Sequence, residues 1–129
     1  EDMALVIMEK EAETDFLSRE LGSYTLNGDI GFIERAFASV EDGKMTVYLY
    51  LTMPGEFDDR EFNAILDGYN PELYHGIVSS ISEDEDNYNP GWILKFPFIE
   101  NDDDMERKLN KILQIHIGEV GRIAAEMQR

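Results

Sequence analysis

The sequence predicts an α+β fold: an antiparallel sheet of five or six strands, with a meander at its centre, packed by a long C-terminal helix and a shorter internal one. Two observations lead to this prediction. Residues 31–53 alternate in character on both sides of Asp42-Gly43, a dipeptide favoured in two-residue hairpin turns. Residues from Asp102 onward carry apolar side chains at helical spacing. With 129 residues, the chain has the size of one domain, spanning 1–129.

The segment before the hairpin supplies the first strands. Residues 4–8 form a short apolar run that is typical of a buried strand. Residues 16–21 fit either a second strand or a helical turn. Asn27-Gly28 is another two-residue turn signal, and it leads through residues 29–32 into the hairpin. The sequence therefore predicts a meander of three or more antiparallel strands.

The hairpin has a well-specified register because a slip of one residue would exchange its two faces. Counting outward from Asp42-Gly43 predicts the pairs Glu41–Lys44, Val40–Met45, Ser39–Thr46, Ala38–Val47, Phe37–Tyr48, Ala36–Leu49, Arg35–Tyr50 and Glu34–Leu51. One face is then small and aliphatic. The other face carries Arg35, Phe37, Tyr48 and Tyr50, with Ser39 and Thr46 beyond them.

Residues 54–82 contain a break, an ambiguous segment and a helix signal. Pro54-Gly55 ends the sheet, and residues 56–61 read as an acidic loop. Residues 62–69 fit both a helix and a strand, and we favour a strand because the run is short. Asn70 can cap a helix that begins with Pro71, so we predict a helix over residues 71–82.

The last third of the chain reads as a strand followed by a helix. Residues 92–99 alternate as a strand, and Pro97 places that strand at an edge or makes it end early. Asp103 and Glu106 have the spacing of a capping box for the final helix. Its apolar seam consists of Met105, Leu109, Ile112, His116, Val120, Ile123 and Met127. Gly118 and Gly121 weaken its second half, and three interpretations of them are open: a kink, a close contact with another backbone, and fraying.

Composition excludes several classes of function. The chain has 28 acidic and 11 basic residues, a net charge of −17, and no cysteine. Such a surface repels phosphate backbones, so we expect no direct binding to nucleic acid. No apolar run approaches the roughly 20 residues of a membrane span. We therefore expect a cytoplasmic protein without a membrane partner, cofactor or metal.

The aromatic face of the hairpin is the first candidate site. Arg35, Phe37, Tyr48 and Tyr50 are residue types that are enriched at protein interfaces. The alternative is that residues 62–66 or the first helix cover this face. If neither does, another protein or a second copy of the chain is the expected partner.

The second candidate is the run of four acids Glu83, Asp84, Glu85 and Asp86. After a helix C-terminus, where the predicted fold places it, negative charge is unfavourable. Three interpretations are open: a solvated loop, a docking segment for a basic partner, and a cation site.

His116 is the third residue of interest. A histidine within an apolar seam is usually a hydrogen-bonded core group. The catalytic alternative requires a facing carboxylate, and Glu34 is the acid that the predicted register places on the aliphatic face. No catalytic residue is assigned from the sequence.

Three functions remain. The first is a non-catalytic protein that acts by protein–protein association, as a homodimer or with another protein. The second is a mimic of nucleic acid that occupies a basic protein cleft. The third is a cation-dependent or His/carboxylate hydrolase, ranked last because no ligand spacing or nucleophile supports it.

Overall fold

Two layers, a sheet and a helical layer, make up the fold. The computed structural model describes residues 3–128. The strands are β1 (Met3–Lys10), β2 (Leu17–Leu26), β3 (Ile33–Glu41), β4 (Lys44–Thr52), β5 (Ser80–Glu83) and β6 (Gly91–Pro97). The helices are α1 (Asp59–Gly68) and α2 (Asp102–Met127), and 3₁₀ turns span Ile30–Phe32 and Pro71–Tyr74. The predicted α+β class, with a long C-terminal helix and a shorter internal one, is confirmed.

The sheet has the strand order β2-β1-β3-β4-β6-β5. Four of its five strand pairs are antiparallel, and β1 runs parallel to β3. The predicted meander from β2 into the hairpin is therefore wrong, because β1 lies between β2 and β3. Residues 27–32 are not a tight turn. They carry the chain from β2 past β1 to β3. Gly28, within this connection, packs against Leu113 and Ile117 of α2.

The hairpin forms in the predicted register over seven of its eight pairs, from Glu41–Lys44 to Arg35–Tyr50. Asp42 and Gly43 have φ angles of 52° and 78°, as a two-residue turn of this type requires. The eighth pair is different, because Ile33 rather than Glu34 lies opposite Leu51. An irregularity between Ile33 and Arg35 displaces Glu34 from the ladder.

Two predicted elements between the hairpin and the acid run are wrong. Residues 62–69 belong to α1, a helix, and not to a strand. Asp58 and Glu61 form a capping box at its start, within the segment that we interpreted as a loop. Residues 71–82 do not form a helix: Asn70 caps only a 3₁₀ turn, and Gly76 at φ 77° ends it. Residues 80–83 then pair with β6 as an edge strand.

The ends of the last two elements also differ from the prediction. Strand β6 ends at Pro97, the second of the two predicted alternatives, and is not an edge strand. Pro97 still pairs with Thr46, and the Phe98 amide donates to the Met45 carbonyl oxygen at 2.9 Å. Asn101, not Asp103, caps α2, and its side chain accepts a hydrogen bond from the Asp104 amide. Six of the seven predicted seam residues are buried, and the seventh, Met127, is half-buried. The buried six are Met105, Leu109, Ile112, His116, Val120 and Ile123.

Both helices pack on the aliphatic face of the sheet. Buried beneath them lie Ala38, Val47, Leu49, Leu51, Trp92, Leu94 and Phe96. Ile65 of α1 joins the same core, and the guanidinium of Arg122 in α2 donates to the carbonyl oxygen of Gly68 at 2.7 Å. Among residues 3–128, no helix covers the opposite face, which we call the open face.

Gly118 and Gly121 lie on the exposed side of α2, and a Cβ atom added to either would have no contact within 4 Å. We therefore expect the double variant Gly118→Ala and Gly121→Ala to be more stable by about 2 kcal/mol, since each glycine costs about 1 kcal/mol relative to alanine in a helix interior. Urea unfolding would measure the gain. Ala125→Gly, an exposed change in the opposite direction on the same helix, should lose stability. Two alanines without effect would show that α2 already frays beyond residue 117.

Candidate functional site

The open face carries two rows of side chains that run across the strands. The first row contains Lys10 on β1, Phe37 on β3, Tyr48 on β4 and Lys95 on β6. The pairs Phe37–Tyr48 and Tyr48–Lys95 are direct cross-strand neighbours. The second row contains Arg35, Tyr50 and Ile93 on β3, β4 and β6. All four residues of the predicted aromatic face therefore lie together, and none of them is covered by α1 or by the turn at residues 71–74.

Each ring in these rows contacts a cation. The Lys10 ammonium nitrogen lies 4.6 Å from the centroid of the Phe37 ring, and the Arg35 guanidinium carbon lies 4.1 Å from that of Tyr50. Phe37 stacks on Tyr48 with a centroid separation of 5.0 Å. These contacts cover Phe37 so well that it is 7% exposed although no helix lies above it. Cation–π contacts of this kind hold long basic side chains flat against a surface.

A hydrogen-bonded group ends the first row. The Tyr48 hydroxyl donates to Glu41 Oε2 at 2.8 Å, and Lys95 Nζ lies 3.4 Å from Glu41 Oε1 and 4.9 Å from the Tyr48 ring centroid. Partial burial together with the Glu41 carboxylate raises the pKa of Tyr48 to about 12. The Tyr48 hydrogen bond and Lys95 lower the pKa of Glu41. Tyr48 therefore stays a neutral donor and Glu41 a charged acceptor at neutral pH.

The acid run lies in the loop that joins β5 and β6, next to the second row. A cleft of about 350 Å³ is lined by Arg35 and Tyr50 together with Asp84, Asp86, Glu34, Asn87 and Ile93. Glu83 ends β5, and Glu85 is exposed. Two of the four acids, Asp84 and Asp86, therefore line the same cleft as Tyr50.

The structure removes the argument that negative charge is unfavourable at residues 83–86. It follows a strand and not a helix, so the helix-dipole argument against negative charge does not apply. Asp84 also has a structural use, because its Oδ1 accepts from the Asp86 amide and its own amide donates to the Gly91 carbonyl oxygen. Within residues 3–128, no group of three or more His, Asp or Glu side chains is arranged to hold a metal ion.

His116 is fully buried and hydrogen-bonded at both ring nitrogens. Its Nε2 lies 2.7 Å from the carbonyl oxygen of Thr52, which can only accept, so Nε2 carries the proton. Its Nδ1 must then accept from the Tyr69 hydroxyl at 2.8 Å. Tyr69 in turn accepts from the Tyr74 hydroxyl at 2.7 Å. The proton positions of this chain, which we call the buried relay, follow from its one fixed acceptor.

The buried relay has the properties of a structural network. Burial lowers the pKa of His116 to about 4 and raises the pKa of Tyr69 above its ordinary value. Glu34 is exposed and lines the cleft with Arg35, so the carboxylate–imidazole pair considered from the sequence does not form. His116 does not line any of the five clefts described among residues 3–128.

A second buried group ties the start of the 3₁₀ turn at Pro71 to α2. Glu119 is 5% exposed, and its carboxylate accepts from the Asn70 amide at 2.7 Å and from the Arg122 guanidinium at 2.8 Å. The Arg122 hydrogen bonds are the main reason why the pKa of Glu119 is lowered. The Glu119 carboxylate thus has two structural roles: it accepts from the Asn70 backbone amide, and it holds the Arg122 guanidinium.

Sequence reasoning missed Lys10 and Lys95, which complete the open face. The missing information was the strand order, because neither residue is near the hairpin in the sequence. Lys95 could be found once β6 is paired with β4, since it is then opposite Tyr48. Lys10 needs the parallel β1–β3 pairing, for which the sequence carries no local signal.

The comparisons with known proteins add a family but no activity. The sequence model of a family of unknown function, DUF6762, matches residues 1–129. No curated protein and no solved structure matches the chain. Among the described residues, none of the helices combines the length and the apolar character that crossing a bilayer requires.

Proposed function

Since the chain belongs to DUF6762, a family of unknown function, we propose from its geometry that it acts by protein–protein association through the open face, with a second copy of itself as the partner. The single observation that supports this proposal is that both helices pack on one face of a six-stranded sheet. A sheet face lined with aromatic and aliphatic side chains is usually buried against another layer. Here the second layer would come from the second copy.

Charge favours the open face over the rest of the surface as a contact between two copies. The chain as a whole carries −17, so most surfaces repel each other. The centre of the open face has three cations, Lys10, Arg35 and Lys95, and one carboxylate, Glu41. The open face therefore differs in charge from the strongly acidic surface as a whole, and its cations can face the carboxylates of Glu34, Asp84 and Asp86, which lie beside the same face, in a second copy.

The size of the face fits a dimer. Six strands spaced about 4.8 Å apart make a sheet roughly 25 Å wide. Together with strands of up to ten residues, this width gives a face of the order of the roughly 800 Å² per partner that stable interfaces bury. Two sheets would pack about 10 Å apart, with their helices on the outside.

A charge reversal on the open face tests the proposal. Arg35 is exposed, contacts the Phe37 and Tyr50 rings and lines a cleft with acidic side chains, so we expect Arg35→Glu to fold normally. We expect it to weaken dimerisation at least about tenfold, because a carboxylate replaces a cation that faces carboxylates of the second copy. Light scattering across a concentration series would measure the mass. Lys111→Glu is the matched control: it makes the same charge change on the exposed side of α2 and should leave the dimer intact.

Two outcomes would contradict the proposal. A wild-type protein that stays monomeric at high micromolar concentration would show that the open face does not bind a second copy. A dimer that Lys111→Glu weakens as much as Arg35→Glu would place the contact elsewhere or assign it to net charge alone.

A further inference from the structure

A pocket lined by three aromatic side chains lies at one end of the sheet, where β4 ends and β6 begins. Its volume is about 330 Å³, at the lower end of the range for small-ligand sites. Its walls come from the segment after β4, the start of α1 and the loop before β6. The lining residues are Phe57, Asp59, Phe62, Asn87, Tyr88 and Asn89.

Backbone and side-chain contacts hold two walls of this pocket in place. The Asn87 side-chain Nδ2 donates to Thr52 Oγ1 at 3.2 Å, and the Met53 backbone amide donates to the Pro90 carbonyl oxygen at 3.0 Å. These bonds tie the loop before β6 to the end of β4. Gly55 lies against the Phe57 ring, at a position where a Cβ atom would be 2.7 Å from a ring carbon. The loop before β6 and the end of β4 are therefore held together by the protein's own contacts.

Tyr88 has no packing role within residues 3–128. It is 88% exposed, the most exposed of the large apolar or aromatic side chains. Phe57 and Phe62 are each half-buried and complete the aromatic lining. Phe57 also packs against the core, whereas Phe62 and Tyr88 do not belong to it. Aromatic side chains around one cavity can bind a group against their ring faces.

Electrostatics select the sign of that group. The ring faces carry negative quadrupole potential, and the Asp59 carboxylate adds a full negative charge to the pocket wall. The positive end of the α1 dipole is offset by Asp58 at the N-cap and by Asp59 and Glu61 in the first turn. The net charge of −17 raises the local concentration of cations around the whole molecule.

We propose that this pocket binds an organic ammonium cation, with its alkyl groups against the rings of Phe57, Phe62 and Tyr88 and its charge near Asp59. This proposal is independent of association through the open face. A divalent metal ion is a poorer fit, because it requires several oxygen ligands and gains nothing from three rings. A neutral apolar ligand would gain burial but no benefit from Asp59.

A titration with choline tests the proposal, with its neutral tert-butyl analogue as the matched control. We expect choline to shift the backbone amide resonances of residues 57–62 and 87–89 saturably, with a dissociation constant in the millimolar range. The analogue has the same shape without the charge and should bind at least about fivefold more weakly. Equal binding of the two compounds, or equal shifts with sodium chloride at the same ionic strength, would overturn the proposal.

Variants of the pocket give a second readout. Tyr88 is exposed, so its replacement does not threaten the fold. Tyr88→Ala should weaken choline binding about fivefold, and Tyr88→Phe should retain it, because the ring face and not the hydroxyl makes the contact. Asp59→Asn should weaken choline and leave the neutral analogue unchanged. An Asp59→Asn variant that binds choline as well as the wild type would remove the carboxylate from the proposal.

The ammonium group has two sources, a free small molecule and a trimethyllysine side chain. A peptide that carries trimethyllysine, compared with the same peptide carrying alanine, separates them. Equal affinities for choline and the trimethyllysine peptide would assign the site to the ammonium group alone. A peptide that binds more than about tenfold more tightly than choline would assign it to a protein partner. Failure of both ligands would overturn the proposal.

Discussion

The variant Tyr69→Phe should lower the free energy of unfolding by about 3 kcal/mol, although it removes a single oxygen atom. The Tyr69 hydroxyl donates to His116 Nδ1 and accepts from the Tyr74 hydroxyl. Phenylalanine would leave both of these buried groups without a partner. An unsatisfied buried polar group costs about 1–3 kcal/mol, which is more than the net gain from one hydrogen bond.

Tyr74→Phe is the matched control, because Tyr74 is the terminal donor of the buried relay. Its removal leaves only a spare lone pair on Tyr69, so we expect a loss of about 1 kcal/mol. Urea unfolding followed by fluorescence of Trp92, the only tryptophan, would measure both variants. Equal losses for the two variants would contradict the proton positions that we assign to the buried relay.

Acid should destabilise the protein through His116. Its pKa is about 4 in the folded protein and about 6.5 in an unfolded chain, so the unfolded state binds more protons between these values. The stability contributed by the neutral imidazole is complete above pH 6.5 and is lost as the pH falls towards 4, by about 3 kcal/mol in total. Below pH 4 this group causes no further loss.

Desolvation is not the sole cause of the lowered pKa of His116, because the buried relay also contributes. A proton on Nδ1 would oppose the Tyr69 hydroxyl proton, which already points at that nitrogen. Tyr69 would then have to turn its proton to the Tyr74 oxygen, and the Tyr74 hydroxyl proton would lose its acceptor in the relay. Burial is the main reason why imidazolium is disfavoured, and the Tyr69 hydrogen bond acts in the same direction, whereas the Thr52 carbonyl favours the charged ring.

The variant His116→Gln isolates this effect, because glutamine can also donate to Thr52 and accept from Tyr69 but does not titrate. We expect it to be less stable than the wild type at pH 7, with a difference that shrinks by about 3 kcal/mol between pH 7 and pH 4. The carboxylates titrate in both proteins, so they largely cancel in the comparison. Parallel pH profiles would show that His116 is already charged, or that it is accessible to water, in the folded state.

Local signals predicted those parts of the fold that depend on neighbouring residues. Asp42-Gly43 sets the hairpin because only a few residue types accept its two positive φ angles. The seam from Met105 to Ile123 predicts α2 because the apolar spacing repeats over many helical turns of this 26-residue helix. The four residues Arg35, Phe37, Tyr48 and Tyr50 share a face because side chains alternate along a strand.

Short segments were predicted less well because their period is ambiguous. Residues 62–69 fit both a helix and a strand, and the Asp58–Glu61 capping box precedes this apolar run. Residues 71–82 begin with a true cap at Asn70, yet Gly76 ends the turn and pairing with β6 turns residues 80–83 into a strand. Tertiary pairing outweighed helical periodicity there.

The sequence by itself determined the α+β class, the hairpin register and the long final helix, since each depends on interactions among residues close in the chain. Only the tertiary structure decided that β1 lies between β2 and β3, that both helices cover one face, and that Lys10 and Lys95 join the aromatic residues on the other. Those features depend on which distant segments meet. Many pairings bury similar apolar area, so the local pattern does not distinguish them.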